Sequence, residues 1–349
     1  YFDDNGGETM MTWNIALTGS GTVGKALLEL LHEKREMLKN RFHFEYNISL
    51  ISARSKGILL NPAGLDLDGA LSALHEKNSL CGFPQSSGSF SELLTQSEAN
   101  ILVEATPTNL NTAEPGLEHI TTALNQNIHV VTVNKGPIAL HFNALQALAE
   151  AHHVQLRYEG TVMSGTPLIE LAQHGLAGAA INRIEGILNG TTNYMLTRME
   201  NGASYEEALK EAQELGYAET DPSGDVDGWD AAVKVSILAK ALFGVDLPVD
   251  QVDRTGISGI SSEDIQAADK KGERIRLIAT IENHGDSIRG SVKPLSLPLT
   301  HPLSQVQGVM NAACLTTDTL GPVTLIGAGA GGRETAQAHL ADNQKKAKK

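Results

Sequence analysis

Between Asp221 and Lys234 the chain reads DPSGDVDGWDAAVK, four carboxylates within ten residues, closing on a lysine. Calcium is the first chemistry to test. Ser223, Asp225, Asp227 and Gly228 occupy positions 1, 3, 5 and 6 of an EF-hand loop, but position 12 needs a bidentate carboxylate and holds Lys234. That cation excludes the calcium loop. An acidic surface turn is the second reading, because Asp-Pro and Ser-Gly are turn chemistry. Against it, Trp229–Ala239 is apolar on nearly every helical face, which predicts burial. Asp230 and Lys234, four residues apart, share one face of that helix. Exposed, such a pair is worth only about 0.3–0.5 kcal/mol. Buried, it must be well hydrogen-bonded, and such pairs cluster in functional clefts. Asp225 and Glu219, from the preceding loop, could face the same pocket.

A second chemistry lies at the other end of the chain. Gly19-Ser20-Gly21-Thr22-Val23-Gly24 fits G-x-G-x-x-G between an apolar run (12–18) and a leucine-spaced helix. The first glycine permits a tight turn, the second lets a pyrophosphate approach the backbone, and the third allows close helix–strand packing. The helix start offers free N–H groups to phosphates. A purely structural turn is the competing reading. At the end of the next strand, a site specific for NAD would place a carboxylate for the ribose 2′-hydroxyl. Ala53-Arg54-Ser55-Lys56 instead offers two cations suited to a 2′-phosphate, which favours NADP with NAD as the alternative. Thr106 and Pro107 follow the third core strand, and Lys135 ends the next one. Both lie at the strand ends where an open α/β sheet forms its ligand crevice.

The elements that must hold these residues read as two regions. Strands at 12–18, 44–53, 100–106, 127–134 and 155–162 alternate with helices after Gly24, near 89–96, at 114–125 and at 144–154. This is a Rossmann-type doubly wound α/β domain. Past residue 160, helices at 165–174, 191–200, 204–215 and 229–242 mix with strands at 182–188, 275–283, 287–293 and 322–326. They predict a second, α+β domain with a mixed sheet. Ser204 and Glu207 have capping-box spacing at the third of these helices. The expected boundaries are 10–150 for the nucleotide-binding domain and 151–319 for the second. Residues 1–9 read as an added tag before a start at Met10 or Met11, and KKAKK as a solvated tail. Residues 55–99 carry no functional signal.

Composition narrows the function classes. The 349 residues carry 27 Lys+Arg against 41 Asp+Glu, a formal charge of −14, which argues against nucleic acid as a partner. No apolar run reaches the roughly 20 residues needed to span a bilayer, and the N-terminal residues lack a signal-peptide pattern. Cys81 and Cys314 fit no metal spacing and read as reduced thiols of a cytoplasmic protein.

The run from Ala212 through Gly216-Tyr217-Ala218-Glu219-Thr220-Asp221-Pro222 to Lys234 resembles the signature of homoserine dehydrogenases. Four further segments keep that family's order: Gly19–Gly24, Val130–Lys135, Tyr158–Gly165 and Leu188-Asn189-Gly190-Thr191-Thr192-Asn193-Tyr194. The Gly327–Gly332 run resembles the family's terminal glycine segment, which returns to the cofactor. The resemblance implies NAD(P)-dependent interconversion of L-homoserine and L-aspartate 4-semialdehyde, on the route to threonine, methionine and isoleucine. It implies Glu219 on the substrate ammonium, and Thr191, Gly190, Tyr217 and Asp225 lining that pocket. Asp230 and Lys234 would stand at the reacting oxygen, and Lys135 between nicotinamide and substrate, with Gly331 on the cofactor. A lysine there can stabilise or protonate a nascent alkoxide, and Lys234 is the expected acid/base group. A monovalent cation such as Na+ would sit on the carbonyls of Glu159, Val162, Ser164 and Thr166. The resemblance also implies that 320–342 rejoins the nucleotide-binding domain, and that the second domain carries catalysis and dimerisation in a homodimer, without an aspartokinase or a regulatory ACT domain.

Two other readings compete. Another dehydrogenase of the same pathway, working by acyl transfer, would need a nucleophilic cysteine, and neither cysteine has that context. A non-enzymatic NAD(P)-binding sensor would keep the glycine turn but has no use for Glu219, Asp230 and Lys234 together.

Overall fold

In the computed structural model, residues 12–285 and 287–344 are described. The N-terminal tag, the Met10 or Met11 start and the KKAKK tail lie outside them. The chain forms two compact units, one running to Tyr158 and resuming at Ala336, the other comprising Glu159–Thr335.

The first unit runs β1 (Thr12–Thr18), α1 (Thr22–Phe42), β2 (Glu45–Ala53), β3 (Gly57–Leu60), α2 (Leu67–Glu76), α3 (Phe90–Gln96), β4 (Ile101–Glu104), α4 (Gly116–Asn125), β5 (His129–Thr132), α5 (Lys135–Ala151) and β6 (Leu156–Arg157). Its sheet order is β3-β2-β1-β4-β5-β6. Every pairing is parallel except β2 with β3. β1 is central, and Ile15, Ala16 and Leu17 are fully buried, as expected of a strand covered on both faces. Reversal of strand order beside β1 opens a crevice at the C-terminal ends of β1 and β4, where such sheets take their ligands. The 55–99 stretch supplies β3, α2 and α3, and its Leu59, Leu67, Ala70, Leu71, Leu74 and Leu80 join the core under α1. It is scaffold.

The second unit contains a one-turn 3₁₀ helix (Glu159–Thr161), α6 (Leu168–Glu170) continued by a π turn (Leu171–Gly175), β7 (Ile181–Ile187), α7 (Gly190–Glu200), α8 (Tyr205–Glu214), α9 (Ser223–Val226), α10 (Trp229–Phe243), β8 (Asp253–Arg254), α11 (Ser262–Asp269), β9 (Glu273–Asn283), β10 (Ile288–Pro298), β11 (Met310–Thr317) and β12 (Gly321–Ala328). The sheet order β12-β11-β7-β9-β10-β8 is antiparallel except between β8 and β10, so it is mixed. α7, α10 and α11 pack on it. α12 (Gly332–Gln344) follows, and its Ala336 and Leu340 belong to the core of the first unit.

Several local expectations change. The strand predicted at 155–162 keeps only Leu156–Arg157. The helix predicted at 165–174 starts at Leu168, because a residue before proline is pushed out of the α region, and Thr166 precedes Pro167. α5 begins at Lys135, not 144, since Pro137 is tolerated in a first turn capped by the Asn134 side chain. β11 is an additional strand whose alanine-rich sequence lacks a β-branched signature. The segment 320–342, expected to return whole to the first unit, divides instead. β12 is hydrogen-bonded into the second sheet, and only Ala336 onward joins the first unit.

α7 must be fixed because its first turn carries Gly190 and Thr191, two of the residues expected to line the substrate pocket. Its last residue, Glu200, is a carboxylate at the negative end of the helix dipole, an unfavourable placement. The guanidinium of Arg276 in β9, fully buried, pairs with it and also donates to the carbonyls of Ile275, Ser304 and Val306. Removing one partner strands a buried charge, at a cost of about 3–5 kcal/mol. Glu200→Ala is therefore expected to lower unfolding free energy by roughly that amount, measured by urea denaturation; a loss within experimental error would show that Arg276 is satisfied by carbonyls alone.

Candidate active site

Each unit carries its own set of converging polar groups. In the first, Gly19 sits at φ +88, and a Cβ there would lie 2.4 Å from the Ala105 oxygen; a Cβ on Gly24 would lie 1.9 Å from the Gly19 oxygen. These two glycines are required by backbone packing. Gly21 differs: a Cβ there would meet nothing within 4 Å, so the turn is open at that point. Gly21 caps α1 without a side-chain bond, and the first turn holds no acidic residue. The Ser20 hydroxyl is buried without a partner among the described residues. Open backbone, an uncapped helix start and an orphaned hydroxyl together fit a bound pyrophosphate.

Lys56, in the turn between β2 and β3, donates from Nζ to the Ser20 carbonyl at 2.6 Å. Burial, then the nearby Lys25, lowers its pKa. Arg54 is exposed in the same turn. At the next strand ends, buried Glu104 accepts from the Thr106 N–H (2.9 Å), the Thr106 hydroxyl and the Thr132 hydroxyl (3.0 Å). The Thr132 oxygen accepts in turn from the Asn134 N–H (3.0 Å), and Asn134 caps α5 at Gly136 N (3.1 Å). One carboxylate thus ties the Thr106–Pro107 loop to the start of the helix that opens with Lys135. Glu104 and Asn134 are residues that sequence reasoning missed.

In the second unit α10 is buried continuously from Ala231 to Lys240. Lys234 Nζ donates to Asp230 Oδ2 at 2.7 Å and to the Leu188 carbonyl at 2.5 Å. Their side chains are only 8% and 16% exposed, which removes the solvated-turn reading. Asn189, the N-cap of α7, donates from Nδ2 to Asp225 Oδ1 (2.6 Å) and to Asp230 Oδ2 (3.0 Å). Burial pushes the Asp225 pKa up, opposed by the Asn189 hydrogen bond and assisted by the Asp230 charge; Lys234 and Thr191 pull it back down. Thr191 donates to the Tyr217 carbonyl at 2.7 Å, and Tyr217 packs edge-on against Tyr194. A Cβ on Gly190 would lie 2.7 Å from the Val309 carbonyl oxygen, so that position is sterically held to glycine.

The other acids of the stretch separate by role. Asp221 accepts from Ser223 N (3.1 Å), and Asp227 accepts from the Ser258 hydroxyl (3.2 Å), so both shape turns. Glu219 is exposed, and its carbonyl accepts from Gln213. Asn189 enters the sequence reading only as part of the Leu188–Tyr194 run; its reach to carboxylates 36 and 41 residues away was not legible there. Around the expected cation site, the Glu159 carboxylate accepts from Ile169 N (2.9 Å) and Glu170 N (2.8 Å). Ser164 shares a hydrogen bond with Thr335, and Thr166 donates to the Ala328 carbonyl. Met163 and Ser164 are both left-handed, at φ 59 and 56.

Comparison with known proteins agrees along most of the chain. The family model for the homoserine dehydrogenase NAD-binding domain matches residues 19–159, and that for homoserine dehydrogenase matches 167–343. The NAD(+)-dependent homoserine dehydrogenase of Pseudomonas canavaninivorans is 41% identical over 346 residues, covering 95% of this chain and 96% of that protein. The crystal structure of a putative homoserine dehydrogenase from Archaeoglobus fulgidus superposes with a TM-score of 0.85 at 39% identity, covering 95% and 98% of the two chains. A hyperthermophilic archaeal homoserine dehydrogenase in complex with NADPH gives 0.82 at 34% identity, covering 95% and 96%. Two consecutive family models, and relatives matched almost end to end, make this chain a member of the homoserine dehydrogenase family, NAD(P)-dependent oxidoreductases.

Proposed function

We propose that the chain interconverts L-homoserine and L-aspartate 4-semialdehyde with Lys234 as the acid/base group, as a step toward threonine, methionine and isoleucine. The observation that carries this is the buried Asp230–Lys234 pair, fixed by Leu188 and Asn189. Bound NADPH supplies the hydride. As it reaches the aldehyde carbon, negative charge develops on the oxygen, and an ammonium beside it stabilises that charge and donates a proton. In the reverse direction the lysine accepts the hydroxyl proton. Asp230 aims the ammonium. Asp225, Thr191, Gly190 and Tyr217 line the substrate pocket, and exposed Glu219 meets the substrate ammonium. Lys135, at the start of α5, is assigned from the resemblance as a second cation for the reaction.

For the cofactor, Gly19–Gly24, Thr106 and Pro107 form the cradle, and Arg54 with Lys56 holds a 2′-phosphate; Gly331 is assigned to the cofactor from the resemblance alone. NADP is the preferred form. Supporting this, the turn between β2 and β3 holds two cations and no carboxylate. The Pseudomonas relative is named for NAD(+), so the preference is a property of this chain to be measured.

A monovalent cation such as Na+ is assigned to the carbonyls of Glu159, Val162, Ser164 and Thr166, supported by the strained pair of left-handed residues in that turn. Dimerisation through the second unit is supported by β12, an edge strand whose Pro322, Thr324 and Ile326 are exposed in alternation. Small-molecule chemistry in the cytoplasm, without nucleic acid or membrane, completes the reading. No described helix is long and apolar enough to cross a membrane.

Lys234→Ala is expected to cut kcat by about 10²–10⁴-fold, the usual worth of a positioned acid or base, with NADPH affinity nearly unchanged; an unaltered kcat removes Lys234 from the chemistry. Arg54→Ala and Lys56→Ala should each raise the KM for NADPH about tenfold or more, from a lost charge-assisted bond, and leave NADH untouched. Equal effects on both cofactors would refute a 2′-phosphate contact. Sodium titration of kcat reads the cation and equilibrium sedimentation reads the dimer; a flat response or a single-chain mass overturns the respective assignment.

A further inference from the structure

Asn189 is nine-tenths buried, and every hydrogen-bonding position of its carboxamide has a partner. Its Oδ1 accepts from the Thr192 N–H at 2.9 Å and from the Thr192 hydroxyl at 3.0 Å. A backbone N–H can only donate, so the amide orientation is fixed. The NH2 group must then face the carboxylates, one hydrogen toward Asp225 Oδ1 (2.6 Å) and one toward Asp230 Oδ2 (3.0 Å). That same Asp230 oxygen accepts from Lys234 Nζ, while the neighbouring Leu188 carbonyl accepts from Lys234 as well. Residues 188 and 189 therefore hold both members of the ion pair and separate its carboxylate from a second one.

We propose that Asn189 is a positioning residue for the reaction, a two-pronged donor that keeps Asp225 and Asp230 apart and so keeps Lys234 aimed. This rests on the reading of Lys234 and Asp230 as the groups at the reacting oxygen. The groups facing Asp225 are Asn189, Asp230, Lys234 and Thr191. Without Asn189 the two carboxylates lose the one amide that donates to both. Asp225 then holds its proton to higher pH, and Asp230 turns from the lysine.

The capping role can be separated from the positioning role, because aspartate and serine both cap helices well. Asn189→Asp and Asn189→Ser retain an acceptor for Thr192 N–H and lose the NH2 donors; the aspartate adds a third carboxylate. Asn189→Ser is expected to keep the wild-type melting temperature to within a few degrees, since a good cap replaces a good cap, whereas Asn189→Asp, which buries a third carboxylate, is expected to melt lower. In both, kcat should fall about 10²-fold, the scale for a misplaced catalytic group. The acid limb of the kcat/KM profile should move to higher pH, further in Asn189→Asp than in Asn189→Ser.

A readout independent of turnover is the carboxyl ¹³C titration of Asp225 in wild type and Asn189→Ser, whose midpoint should rise in the variant. An unmoved midpoint overturns the proposal, as does an unmoved acid limb with kcat within twofold of wild type. A wild-type protein that fails to oxidise homoserine, combined with a shifted Asp225 midpoint, would instead refute the reaction assignment and leave the positioning role standing.

Discussion

A lysine beside an aspartate inside an apolar helix is tolerable only when nearly every donor and acceptor around it is accounted for. Desolvating the two charges costs several kcal/mol per ion unless hydrogen bonds replace the lost water. In this protein that requirement sets the surrounding architecture. Lys234 and Asp230 sit on one face of α10, whose burial runs unbroken from Ala231 to Lys240. The replacement for water comes from a neighbouring element, the β7–α7 junction, through the Leu188 carbonyl and the Asn189 amide. α7 is in turn pinned at its far end by Glu200 and Arg276. An error in placing either end of α7 would be felt as an unpaired charge.

The first unit solves a related problem with an acceptor instead of a donor. Glu104 is completely buried and receives three hydrogen bonds, two from Thr106 and one from Thr132. Thr132 passes the constraint to Asn134 and so to the first turn of α5. Two loops at the ligand edge of the sheet are thereby fixed to each other without contributing a charge to solvent. In both units a buried polar residue with no freedom to reorient stands one step behind the candidate site groups.

Much of this was readable in the sequence, and the limit is physical. The glycine turn is legible because its demands are local: Gly19 needs a positive φ and Gly24 a missing Cβ, both within six residues. The burial of Asp230 and Lys234 is legible because Trp229–Ala239 is apolar all round. The Ser204–Glu207 capping box forms as its spacing implies. By contrast, the Asn189 bridges span 36 and 41 residues, and the Glu104 bond to Thr132 spans 28. No local pattern encodes them. β11 escaped for a similar reason: its Asn311-Ala312-Ala313-Cys314 is buried by pairing with β7 and β12 on either side, so neighbours specify it more than propensity does. Past Lys56, the residues up to 99 were silent about function because β3 and α2 serve the core of the first unit.

The helix α12 has a consequence for how the chain comes to be folded. Ala336 and Leu340 occupy the same core as Leu27, Leu31 and Ile15, more than 290 residues earlier. A ribosome delivers those two side chains only after all of the second unit. The nucleotide-binding fold therefore waits, with part of its core uncovered, while the second unit is made. Loop closure over so many residues costs little more than over a few dozen, because the entropy grows only logarithmically with length. The burden falls on time and exposure instead: an unfinished apolar surface in a nascent chain is where aggregation begins and where a chaperone would bind.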